Sequence, residues 1–119
     1  MLKKMLVAAH VLLASALYAD IQIDMSVTQG EFKAEGKNIV IEGQEAVADF
    51  GQIKFVVLSK PQEDQELVAI ELKMVAVDEE GNNTLLASHE QVAHWGETAV
   101  FTLNGVEPVM TIAIAATRV

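Results

Sequence analysis

Between Leu67 and Val77 the side chains alternate with a period of two. Val68, Ile70, Leu72, Met74 and Ala76 fall on one face, and Leu67, Ala69, Glu71, Lys73, Val75 and Val77 on the other. A helix would need a period of 3.6, so this stretch is a strand. One face is wholly apolar while the other carries a charged middle, the pattern of a central strand packed on a core with its second face partly covered. Asp78-Glu79-Glu80-Gly81-Asn82-Asn83 follows. These residues tolerate positive φ and hydrogen-bond to their own backbone, so a hairpin loop is expected there.

The rest of the chain reads the same way. Ile21, Ile23, Met25 and Val27 alternate with polar residues as a half-buried first strand. Phe32 and Ala34 form a short second one before a turn at Gly36-Lys37-Asn38, and Ile39-Val40-Ile41 is a third. Residues 45–52 fit either a helical turn or a strand, ended by Gly51. Ile53–Ser59 is a strand, and Lys60–Gln65 a polar loop in which Pro61 denies the ladder a donor. Thr84–Trp95, Thr98–Leu103 and Val109–Val119 complete the set. Seven or eight short strands predict a single antiparallel β-sandwich, or a small, partly open barrel.

Residues 1–19 read as a signal peptide: Lys3 and Lys4, a largely apolar run from Met5 to Leu13, then small residues toward Ala19. The run is well short of the roughly 20 residues that span a bilayer, so cleavage is expected and no stable membrane span after it. Residues 20–119 would form one domain, secreted or periplasmic. That part holds six Lys and Arg against seventeen Asp and Glu, so the formal charge moves from −9 to −11. Such a surface repels nucleic acid and anionic lipid. With no cysteine, disulfide staples, a thiol nucleophile and a thiolate metal site are all excluded.

Motifs for chemistry are few. The chain has no Gly-x-Ser-x-Gly elbow, phosphate loop, Gly-x-Gly-x-x-Gly or His-Glu-x-x-His, so a non-catalytic protein without a cofactor is expected. His89 and His94, with Met110 as a third donor, are the candidate ligands for copper or zinc. Five residues apart on one strand, the two rings should point to opposite faces, and two solvated histidines are the simpler reading. The acidic loop at 78–83 has oxygen donors but not the order of an EF-hand, and reads as a solvated turn. Asn82-Asn83-Thr84 is a formal glycosylation sequon.

Trp95, beside a turn, is either a contact anchor or a rim tryptophan packed on the core. Phe55-Val56-Val57-Leu58 and Ile39-Val40-Ile41 are apolar at consecutive positions. Their strands are therefore either central or edges that pair with another chain, and Phe55 and Val57 join Trp95 as candidate interaction residues.

Leu85-Leu86-Ala87-Ser88 followed by Gly96-Glu97-Thr98-Ala99-Val100-Phe101 resembles a hairpin in the C-terminal domain of bacterial secretins, with Leu67–Val77 where that family places a long apolar strand. His89 stands where the family usually has Pro, and the later pore-forming strands have no counterpart. The resemblance implies a small bacterial envelope protein built on a related hairpin rather than a complete secretin. The expected function is an interaction or assembly module of the envelope, related to secretion or pilus assembly, binding an envelope protein or a second copy through an edge strand. The alternative is a periplasmic metal-binding or small-ligand carrier.

Overall fold

The computed structural model describes residues 20–119, and the expected signal peptide lies outside the described residues. Eight strands follow one another: β1 (Asp20–Gln29), β2 (Phe32–Ile41), β3 (Ala46–Asp49), β4 (Ile53–Pro61), β5 (Leu67–Val77), β6 (Asn83–His94), β7 (Thr98–Leu103) and β8 (Met110–Arg118). They form two four-stranded antiparallel sheets, β2-β1-β8-β7 and β3-β4-β5-β6. The molecule is a β-sandwich and not a closed barrel.

The connectivity is a simple meander. Each strand lies beside its neighbours in sequence, and β8 returns to pair with β1 from Ile21↔Arg118 to Gln29↔Met110. The ladder is interrupted twice, where β2 passes to β3 and where β6 passes to β7, and at each point the chain steps from one sheet to the other. The fold is thus a flattened up-and-down barrel opened along two seams. Inward residues of both sheets meet in one core, among them Ile21, Ile23, Phe55, Val57, Ile70, Leu72, Phe101, Ile112 and Ile114. Their alternation with outward polar residues is the pattern that burial of one sheet face demands.

Two expectations need correction, and of the two alternatives for residues 45–52 the strand holds. Gly36-Lys37-Asn38 makes no turn: β2 is one ten-residue strand, with Gly36 opposite Met25 and Lys37 opposite Asp24. A turn there would strand half of the β1 ladder, and the partner strand overrides the local signal of Gly and Asn. Residues 46–49 are a strand, with Phe50-Gly51-Gln52 as its turn to β4. Pro61 is the last residue of β4, opposite Val68, a terminal place where its missing N–H does little harm.

The Trp95 turn explains the second seam. Trp95 donates its backbone N–H to the Glu66 carbonyl, before β5, at 3.1 Å, and Gly96 donates to the Ala116 carbonyl of β8 at 2.8 Å. Consecutive residues are thus tied to different sheets, with Gly96 at φ 86° making the step. The pair of strands expected as a hairpin, β6 and β7, therefore stands in separate sheets.

Candidate functional site

Four strands have a free lateral edge, and three are blunted. β3 is only four residues long. β2 carries Lys33, Glu35 and Lys37 at alternate outward positions, facing Thr28, Ser26 and Asp24 of β1. β7 is short and lies beside β6, where the Gln91 side-chain amide donates to the Val100 carbonyl at 2.6 Å. Short length and charge are the usual defences against unwanted pairing.

β6 is the exception. It is the longest strand, twelve residues, and nearly all of it is exposed. Gln91 stands level with Val100 of β7, and from there the antiparallel course of β7 ends at Leu103, so the Asn83–Ala87 part of β6 runs on past it. In that overhang the register shifts between Met74↔Ala87 and Val75↔Leu85. Leu86 is the extra residue of a β-bulge, a feature that re-aims side chains and recurs beside functional sites. Leu85 is 57 % exposed and Leu86 49 %. An unpaired backbone edge with two adjacent bare leucines is a ready template for another strand.

The loop that presents this overhang is internally fixed. The Asp78 carboxylate accepts the N–H groups of Glu80 at 2.9 Å and Asn82 at 2.8 Å, and the Asn82 side-chain amide at 3.2 Å. The Asn82 backbone bond foremost holds the Asp78 carboxyl below its ordinary value of 3.8. The acids expected to solvate a turn include one that builds it.

On the outer face of β4–β6, Lys60 pairs with Glu90 at 2.9 Å and Glu71 at 3.7 Å, and Lys73 reaches Glu71 at 4.0 Å. The hydrogen bond to Glu90 is the main cause that raises the Lys60 pKa above 10.5. Ala69, on this same outer face between Lys60 and Val92, is nonetheless buried.

The candidate residues fall apart in space. His89 lies opposite inward Leu72 and His94 opposite outward-facing Leu67, so the rings belong to opposite faces. Met110 is in the core at the other end of the sandwich from His94, opposite Gln29 and Leu103. Among the described residues no three His, Cys, Asp or Glu side chains converge as a metal-holding group. Phe55 is 2 % and Val57 1 % exposed; β4 is paired on both sides, so the central alternative holds for it and both side chains belong to the core.

Trp95 is half-buried and packs on the core. The Arg118 guanidinium stacks 4.4 Å from its ring centroid, and Arg118 also donates to the Gln65 carbonyl at 3.2 Å. The indole N–H is buried without a partner. Trp95 closes this end of the sandwich.

A surface depression of about 560 Å3 is a trough on the outer face of β1, β2, β7 and β8, floored by Ser26, Ala113 and Ala115 between Lys37 and Thr98. At its edge the Gln22 side-chain amide donates to the Asp24 carboxylate at 3.1 Å. Sequence reasoning singled out Trp95 and the β4 run but missed Leu85 and Leu86 as exposed residues, because β6 reads as an ordinary amphipathic strand until its partner sheet proves shorter. Comparison with protein-family models, curated proteins and solved structures returns no match.

Proposed function

We propose that this chain is a non-catalytic interaction module of the bacterial envelope that captures an extended segment of another envelope protein on the free edge of β6. The single observation that carries the reading is the contrast among the four edges: three are short, charged or flanked, while the Asn83–Ala87 stretch of the twelve-residue β6 runs on past β7 with Leu85 and Leu86 bare beside an unpaired backbone. Strand addition would take its affinity from main-chain hydrogen bonds and its selectivity from pockets for alternate side chains. Export is supported by the signal-like residues 1–19, and the acidic surface favours protein over nucleic acid as the partner.

The test is affinity capture from the native host's envelope fraction with the tagged protein, paired with a Leu85→Lys/Leu86→Lys variant. Two exposed charges on an edge should leave the Tm nearly unchanged. Proteins held by the parent and lost by the variant at equal Tm support the reading, and a set retained by both contradicts it. If the parent holds only its own chain, the partner is a second copy.

A further inference from the structure

The two ends of the sandwich differ. Trp95 and Arg118 cap one, whereas at the other Val27, Phe32, Phe50, Phe55 and Met110 line a cavity of about 130 Å3 with Gln29 as its one polar wall. Three rings descend through it from solvent to core. Phe32 is 52 % exposed; it meets Phe50 edge-on at 6.3 Å and 77°, and Phe50 meets the buried Phe55 at 5.8 Å and 79°. Edge-to-face contacts of this kind are the preferred packing of aromatic groups, and a further ring can extend the series. Met110 adds a soft thioether that packs well on ring edges. Gln29 already donates its side-chain amide to the Pro108 carbonyl at 3.1 Å, so part of the polar wall is satisfied.

Size and charge narrow the occupant. An apolar cavity of about 150 Å3 accepts benzene, and 130 Å3 leaves no room for a long acyl chain. No Lys or Arg lines the cavity and the chain carries −9, so a carboxylate or phosphate would find no counter-charge there. We infer that the cavity beside Phe32 and Phe50 is a binding site for a neutral aromatic molecule about the size of one benzene ring. It lies at the mouth of the flattened barrel, between the two sheets, a common location for small-ligand sites. Its occupancy is independent of pairing at β6.

The test is a titration of the purified protein, labelled at its methionine methyl groups, with benzene and in parallel with benzoate, followed by nuclear magnetic resonance. The expected result is a saturable benzene shift, largest at Met110, that weakens at least about fivefold in Phe32→Ala through loss of the outer ring. Benzoate should give no saturable shift. A response to benzene that never saturates, a largest shift at Met74, equal affinity in Phe32→Ala, or benzoate binding as well as benzene would each overturn the assignment. If Phe32→Ala lowers the Tm appreciably, Phe32→Leu supplies the same comparison with apolar bulk retained.

Discussion

Trp95 shows how one side chain can be legible in type and ambiguous in role. Its ring lies on the core and under Arg118, so Trp95→Ala should act as a truncation of packed aromatic surface. Removal of such rings from cores costs about 3 to 5 kcal/mol, and a half-buried one falls toward the lower figure; thermal unfolding would show the loss directly, whereas an unchanged Tm would mark Trp95 as a contact residue. Ser59 makes the opposite case. It is 2 % exposed and its hydroxyl has no partner, so Ser59→Ala removes an unsatisfied group and should be neutral or stabilising by up to about 1 kcal/mol on denaturant melts.

Asp78 ties stability to pH with a definite sign. Its folded pKa lies below 3.8, so its contribution is present above the unfolded value and is lost as pH falls through the folded one. An Asp78→Ala variant should therefore melt below the parent at neutral pH and converge with it in strong acid. Lys60, raised above 10.5 by Glu90, runs the other way: its contribution is complete below the unfolded value and fades as pH rises through the folded one.

At the level of elements, strands whose alternation is unbroken were readable from the sequence, and those shaped by a partner were not. Leu67–Val77 and Thr98–Leu103 have the bounds that their periodicity predicts. Gly36 and Asn38 are locally turn-like, yet the β1 ladder keeps them extended. Sequence carries no local mark of that partner, nor of the step between sheets at Trp95-Gly96. Gly30 is different, because its φ of 59° is required by the β1–β2 turn and a Cβ there would approach Pro108 Cγ at 3.2 Å. Gly30→Ala should cost about 1 to 2 kcal/mol in equilibrium unfolding, through the left-handed backbone and that contact together.

For the whole molecule, the meander sets what each surface can do. Strands adjacent in sequence and in space bring the ends of β1 and β8 together and leave two seams where pairing stops. One seam is bridged by Gln91 and capped by Trp95; near the other, Phe32 and Phe50 stand over a cavity. The all-β class follows from alternation, which leaves a sandwich and a partly open barrel as alternatives, while the exposed stretch of β6 exists only because β7 is half its length. Length mismatch between strands of different sheets is a tertiary property, which is why Leu85 and Leu86 drew attention through their family resemblance and not as a surface.

The most direct measurement is site-specific photo-cross-linking in the native host, with the reactive amino acid placed in turn at position 85 on β6 and position 33 on the charged edge of β2. Capture on β6 predicts a discrete adduct from position 85 and none from position 33. Adducts from position 33 alone, or from neither position, would contradict it.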